Sequence, residues 1–212
     1  MKNSKIILKF FGIFILAYAI FLPTWLIVKN PYNRAITEVS FALSSWKYDL
    51  HVSQSTMKGR EMTFTVSNTI PILDARGNNK GFFIDLSFDI ESVTFNIPMT
   101  LSLLSALILS FGISAKENIR LTLVGMGALL ALHIVTLIVI SISLFAGAAQ
   151  SSQVVHFYLS RFSLPMDVLD NLGMILNSYA ARFEPFLIAI IVWWQLQIQN
   201  EKQKKSDTLA HF

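Results

Sequence analysis

The chain contains no cysteine. This absence excludes disulfide bonds, thiolate metal sites and a cysteine nucleophile, although it does not identify a compartment. Charge is also scarce, because only 14% of the 212 residues are charged, whereas about 25% is usual in a soluble domain. Long stretches carry no charge at all, and 53% of the residues are hydrophobic. Both facts indicate a membrane protein rather than a soluble protein with a large core.

Sequence motifs of catalysis are lacking as well. There is no Ser-His-Asp motif, phosphate-binding glycine loop or HExxH motif. His51, His156 and His211 lie far apart and have no metal-ligand spacing. The net charge of +4 lies mostly beside the hydrophobic segments, which suits anionic lipid head groups better than nucleic acid. We therefore expect no enzyme activity, no metal, no cofactor and no nucleic-acid partner.

Four charge-poor segments are candidates for crossing a bilayer as helices. They are residues 6–28, 97–114, 121–146 and 183–198. The first is too long for the apolar region of a signal peptide and no A-x-A site follows it, so we interpret it as a retained anchor. The third contains Gly125 and Gly127, and small residues predict close packing between membrane helices.

Residues 30–96 differ in character from these four spans. Apolar residues spaced as in a helix occur over 32–46, and the period then changes to two over 49–57, 61–66 and 83–95. In the last run Ile84, Leu86 and Phe88 share one face, while Asp85 and the other acidic residues Asp89 and Glu91 lie opposite. The pattern predicts a small α+β module, one helix with an antiparallel meander, that is too small to bury much surface alone.

The predicted organisation has six parts. They are an anchor (1–29), the α+β module (30–96), a transmembrane hairpin (97–146), two interfacial helices (147–182), a last span (183–199) and a polar tail (200–212). Lys and Arg are concentrated at the N-terminus, in the short connector 115–120 and in the tail. The positive-inside rule places these three regions in the cytoplasm and residues 30–96 and 147–182 outside the cytoplasm of a bacterial inner membrane.

Two places carry ionisable residues that could serve a function. His133 lies in the middle of the third span, where an ionisable group is a functional candidate by default. The alternative is a neutral imidazole bonded to a neighbouring helix through a serine or a backbone carbonyl. Arg182, Glu184 and Pro185 begin the last span, where they either contact a partner or lipid head group or only fix the depth of the helix. Asp167 and Asp170 suit the macrodipole at a helix start.

Three stretches resemble a known family. They are FNIPMTLSLLSALILS (95–110), LPMDVLDNLGMILNSYAARF (164–183) and EPFLIAIIVWW (184–194), with Pro185 and the Trp193–Trp194 pair in matching places. These stretches and the layout of the chain are similar to the exosortase H-associated membrane proteins. Such proteins are small bacterial membrane proteins encoded beside an exosortase-type transpeptidase. The resemblance implies an accessory protein in protein sorting, and it implies no catalytic residues.

The leading hypothesis is therefore a non-enzymatic accessory or assembly subunit of an inner-membrane complex. Its partners would be the lipid bilayer and other membrane proteins. The resemblance implies that one of these proteins is an exosortase-type transpeptidase. The alternative is a transport component that handles a lipid or another small molecule, with Arg182 and Glu184 near a head group. A sensor is a weaker third hypothesis, because the short tail and connector offer no output domain.

Overall fold

The computed structural model describes residues 2–73, 79–110, 114–162 and 181–209, together with Val168, Asn171, Leu172 and Ile175. The described helices are α1 (Lys2–Lys47), α2 (Glu91–Thr94), α3 (Ile97–Ser110), α4 (Ala115–Ser151), α5 (Gln153–Leu159) and α6 (Ala181–Leu209). The described strands are β1 (Leu50–Lys58), β2 (Glu61–Asn68), β3 (Ile72–Leu73), β4 (Asn79–Lys80) and β5 (Phe83–Asp89). The protein is thus mostly helical with a small antiparallel sheet.

Three of the described helical segments are long and apolar enough to cross a membrane. They are Lys5–Lys47, Glu91–Ser110 and Ala115–Ser151. The fourth predicted span, 183–198, lies in α6 and is not among these three. Its apolar run is shorter than the roughly 20 residues of a usual span. A membrane protein is therefore indicated, whereas a fourth crossing stays a prediction.

The chain forms two compact units. Unit 1 comprises Met1–Ile27, Asn96–Ala131 and Arg182–Phe212. Unit 2 comprises Val28–Phe95 and Leu132–Ala181. The helices α1 and α4 contribute residues to both units.

The helix α1 is longer than the sequence pattern suggests. We expected an anchor ending near residue 28 and a separate helix over 32–46, but α1 is one helix of 46 residues that includes Pro31. A proline inside a helix removes one backbone hydrogen bond and disfavours continuation. Burial of Ile36 and Phe41 on one side of α1 stabilises the helix beyond this proline.

The helix α4 also begins earlier than expected. The prediction that residues 115–120 form a connector is wrong, because these residues form the first turns of α4. Ser114 caps the helix by accepting a hydrogen bond from the Glu117 amide at 3.4 Å. The spacing of Ser114 and Glu117 is that of a capping box, which favours a helix start at this position.

The sheet confirms the predicted meander. Its strand order is β1-β2-β5, all antiparallel, and β3 and β4 form a separate two-stranded pair. Tight turns precede β1 and β2 at Asp49 and Gly59, which have φ values of 51° and 61°. The predicted strand 83–95 is too long, because β5 ends at Asp89, whose carboxylate accepts a hydrogen bond from the Glu91 amide at 2.9 Å. Glu91 therefore lies on α2 and not on a strand face.

The core of unit 2 lies between the sheet and the two long helices. Phe41 of α1 stacks on Phe64 of β2 with ring centroids 3.9 Å apart, and Phe145 of α4 packs edge-on against Phe41. Leu137 and Ile140 of α4 belong to the same cluster. The second half of the predicted third span therefore contributes apolar side chains to a protein core.

A second core holds unit 1 together. It consists of Leu104, Leu107, Ile108, Leu121, Val192 and Leu196, with Phe10 packed against it. The first turns of α1 and α4 and the later part of α6 therefore meet in one cluster. We predicted that the small residues Gly125 and Gly127 lie where helices pack closely. Gly125 is buried beside Leu104, as predicted, but Gly127 is exposed.

The segment after α4 is described in part. The predicted helix 154–162 is confirmed as α5 followed by a 3-10 turn, Ser160–Phe162. Val155 and Leu159 are buried in unit 2, and the Tyr158 hydroxyl donates a hydrogen bond to the Asp49 carbonyl at 2.7 Å. The predicted helix 166–179, with Asp167 and Asp170, lies almost wholly outside the described residues.

Candidate functional site

His133 lies on α4 within unit 2 and is 1% exposed. Its Nδ1 is 2.7 Å from the Tyr32 hydroxyl of α1, and which atom donates depends on the imidazole tautomer. The two rings pack edge to face with centroids 6.0 Å apart. The partner is thus a tyrosine on another helix, where we expected a serine or a carbonyl. This arrangement ties two helices together and by itself provides no reaction.

A stripe of small polar residues on α1 continues this helix contact. Asn33, Thr37, Ser40 and Ser44 recur every three or four residues and are all buried. The hydroxyls of Thr37 and Ser40 donate to the carbonyls four residues earlier, at 2.6 and 2.8 Å. Small residues allow helices to approach closely, so we interpret the stripe as packing.

The contacts also fix the relative direction of α1 and α4. Ser44 hydrogen-bonds Ser141, while Tyr32 hydrogen-bonds His133. The residue numbers rise together along both helices, so α1 and α4 run parallel.

Glu91 is the centre of a charge cluster in unit 2. Its Oε1 accepts a hydrogen bond from Lys29 Nζ at 2.6 Å, and its Oε2 is 3.0 Å from Arg60 Nε. The Glu91 side chain is only 19% exposed. The cluster therefore joins α1, α2 and the β1–β2 turn. The sequence pattern predicts Glu91 on the solvated face of a strand. This prediction is wrong, because β5 ends at Asp89, two residues before Glu91.

Arg182, Glu184 and Pro185 begin α6 in unit 1. Arg182 is exposed, whereas Glu184 is 2% exposed and Pro185 is buried. The two charged residues therefore occupy different faces, as their spacing predicts. His133, the other candidate residue, belongs to unit 2.

An exposed apolar stripe occupies the opposite side of α1 from the packed face. Val39, Leu43 and Trp46 are 50%, 48% and 81% exposed. The helical spacing over 32–46 does not distinguish these three residues from Ile36 and Phe41, which are buried. The helix has two apolar faces here, one in the core and one at the surface. Exposed aromatic side chains within a contiguous apolar patch are typical of protein contact sites.

Each outer strand of the three-stranded sheet borders a groove beside a long helix. The first groove, about 460 Å³ in volume, lies between α1 and β1 and is lined by residues that include Trp46 and His51. Glu38 lines it as well and accepts hydrogen bonds from Arg34 and Ser55, both at 2.9 Å.

The second groove, about 450 Å³ in volume, lies between β5 and α4. It is lined by Ile84, Asp85, Leu86, Ser87, Ser143, Leu144, Gly147, Ala148 and Ser151. The titratable side chains in the two linings are Glu38 and His51 in the first groove and Asp85 in the second.

Among the described residues, no three His, Asp or Glu side chains converge as a metal site would require. His51 lines the first groove and His156 is exposed on α5, while His211 lies outside the described residues. Comparison of the chain with family models, curated proteins and solved structures gives no match.

Proposed function

We propose that this protein is a non-enzymatic accessory or assembly subunit of a bacterial inner-membrane complex. It binds a partner protein through the surface of unit 2 on the outer side of the membrane. The observation that carries the proposal is the exposed stripe of Val39, Leu43 and Trp46. These side chains follow one another at the spacing of a single helix face, so a partner can cover them together.

The length of α1 supports a protein partner for this stripe rather than lipid. A helix rises 1.5 Å per residue, so the 46 residues of α1 span about 70 Å, whereas the hydrocarbon core is only about 30 Å thick. Trp46 lies about 27 Å along the axis beyond Val28. An α1 that crosses near the bilayer normal therefore carries Trp46 beyond the head groups, which add only about 5–8 Å on each side.

The contacts within each unit support four crossings with both termini in the cytoplasm. Within unit 2, α1 and α4 run parallel, which suits two helices that cross the membrane in the same direction. Phe10, Leu121 and Leu196 belong to one cluster, which suits a C-terminal tail on that side too. The basic flanks Lys5, Lys9 and Lys116 make the cytoplasm the preferred side.

The partner that the family resemblance implies is an exosortase-type transpeptidase. A chain without cysteine suits the accessory role in such a pair, because the enzyme itself needs that nucleophile. In this proposal unit 1 packs against partner helices in the membrane, and unit 2 contacts the partner's outer domain.

Photo-crosslinking in the membrane tests the proposal. A photoreactive amino acid at position 46 is expected to give one discrete crosslinked product, and Leu43→Glu is expected to abolish it. The same amino acid at Thr56, exposed on the outer face of β1, is the matched control and is expected to give none. A mild-detergent preparation that is purely monomeric, with no product from position 46, would overturn the proposal.

The alternative function in lipid or small-molecule handling depends on α6. Its supporting observation is a carboxyl group, Glu184, buried in an apolar helix beside the exposed Arg182. Intramembrane carboxyl groups commonly mark substrate paths. Arg182→Gln and Glu184→Gln should both reduce lipid binding or transport if this function is correct. Unchanged lipid binding in both variants would exclude it.

A further inference from the structure

The strand β5 leaves one edge of the three-stranded sheet open. It pairs only with β2 among the described residues, and its pairing is regular over its whole length. The Ile90 amide just beyond β5 donates to the Arg60 carbonyl at 3.1 Å. Since the direction of backbone groups alternates in an antiparallel strand, residues 83, 85, 87 and 89 direct their N–H and C=O groups towards the open edge.

The opposite edge of the sheet is protected. In β1 the pairing shifts between Val52 and Gln54, which is a bulge. Ser55 of the same strand is also bonded to Glu38 of α1. Bulges and covering contacts are the devices by which proteins prevent pairing at sheet edges. The regular edge of β5 lacks this bulge.

An open groove of about 450 Å³ lies beside β5. Four of its five lining residues on α4 are small (Ser143, Gly147, Ala148 and Ser151, with Leu144), and a Cβ atom added to Gly147 would meet no atom within 4 Å. A strand added to β5 would extend the sheet over these residues. Every second side chain of that strand would point into the groove.

Charge identifies the chemistry of the added strand. The charged residues of β5 are Asp85 and Asp89, both acidic and both on the outer face. Among the described residues, those that line the groove include no Lys or Arg. A second copy of β5 paired at this edge would bring like charges together, which is unfavourable. A strand with basic residues beside Asp85 and Asp89 would instead form favourable cross-strand pairs.

We infer that the β5 edge binds an extended basic segment of a partner protein by strand addition. The segment carries two Lys or Arg residues four positions apart on one face. Its other face carries small apolar side chains that fill the groove over Gly147. This inference rests on a different surface from the Val39–Leu43–Trp46 stripe, so the two proposals can fail separately.

Binding of two synthetic peptides to the purified full-length protein in nanodiscs tests this inference. The first is a fluorescein-labelled peptide of alternating Val and Thr, in which two Lys residues four positions apart replace Thr. The second has Glu in place of both Lys residues. By fluorescence anisotropy the Lys peptide is expected to bind about tenfold more tightly. Asp85→Lys, which leaves the hydrogen bond between Asp89 and α2 in place, is expected to remove the preference.

A pair of glycine substitutions on α4 provides the steric test. Gly147→Leu is expected to abolish binding of the Lys peptide without loss of fold, because the site has open space and leucine favours a helix more than glycine does. Gly127→Leu is the matched control on the same helix, since Gly127 also has open space around it, and it should bind as the parent does. Equal binding of the two peptides, or binding that survives Gly147→Leu, would overturn the inference. The crosslink from position 46 is expected to persist in Gly147→Leu, so it reports separately on the proposed function.

Discussion

The Tyr32 hydroxyl lies 2.7 Å from Nδ1 of His133, although the two residues are 101 positions apart in the sequence. The contact joins α1 and α4 at a place where both helices are packed. His133 is 1% exposed, and a buried imidazole that loses a hydrogen-bond partner is destabilised. The stability of unit 2 therefore depends on this pair.

Replacement of Tyr32 by phenylalanine measures that dependence. Tyr32→Phe removes the hydroxyl and keeps the ring, so we expect a loss of about 1–3 kcal/mol in the free energy of unfolding. Chemical denaturation of the purified protein followed by circular dichroism gives the value. Tyr18→Phe is the control, because Tyr18 is exposed on the same helix and should lose less than about 0.5 kcal/mol. Equal losses in the two variants would contradict the structure.

Two glycines of α4 are expected to respond differently to alanine. A Cβ at Gly125 would lie 2.7 Å from Cδ2 of Leu104, so this buried leucine must shift. A Cβ at Gly127 would meet nothing within 4 Å. Gly127→Ala should be neutral or stabilise the helix by up to about 1 kcal/mol, and Gly125→Ala should be less stable than Gly127→Ala. Thermal unfolding in one detergent compares them, and the reverse order would show that α3 and α4 pack differently.

Alkaline pH should affect unit 2 through Tyr158. Burial raises the pKa of the Tyr158 phenol above the ordinary value of about 10. The stabilisation that goes with a raised pKa is fully present below the ordinary pKa and is lost as pH rises through the folded-state pKa. Ultraviolet absorbance of tyrosinate is measured against pH for the parent and for Tyr158→Phe. The difference between the two curves reports the ionisation of Tyr158, and it should develop above the pH at which exposed tyrosines ionise. A difference that develops at the ordinary pKa would show that the phenol is not buried.

The absence of cysteine makes the membrane topology directly testable. Single substitutions Lys5→Cys, Lys58→Cys and Lys116→Cys each introduce the only thiol of the chain. We expect a membrane-impermeant maleimide to label Lys58→Cys in intact spheroplasts, and to label the other two variants only after permeabilisation. Labelling of Lys116→Cys from outside would show that the orientation predicted by the positive-inside rule is wrong.

The strands of unit 2 were the part of the fold that the sequence predicted best. Alternation of Ile84, Leu86 and Phe88 with polar residues is a local pattern, and one buried sheet face is enough to fix it. The end of β5 was missed, because Asp89 caps α2 through its side chain and the hydrophobic alternation continues past that point. Asx-type caps of this kind depend on side-chain hydrogen bonds that a period-two pattern does not reveal.

The helices and the candidate sites were harder to predict. Pro31 indicated a helix boundary, yet packing in unit 2 keeps α1 continuous, since tertiary contacts override local preference. The tyrosine partner of His133 lies on a different helix and has no local signature. The exposed face of α1 could have been separated from its buried face, because Val39, Leu43 and Trp46 follow an i, i+4, i+7 spacing. That spacing does not show which face packs.

The continuity of α1 has a consequence for how this protein can change in evolution. Each residue inserted into a helix turns all later side chains by about 100° and moves them by 1.5 Å. A single insertion between Tyr32 and Ser44 would turn one of these two residues away from its partner on α4, which is His133 or Ser141. Insertions or deletions between Tyr32 and Ser44 are therefore expected to be rare, and the number of residues between these two positions should vary less than the side chains that surround them.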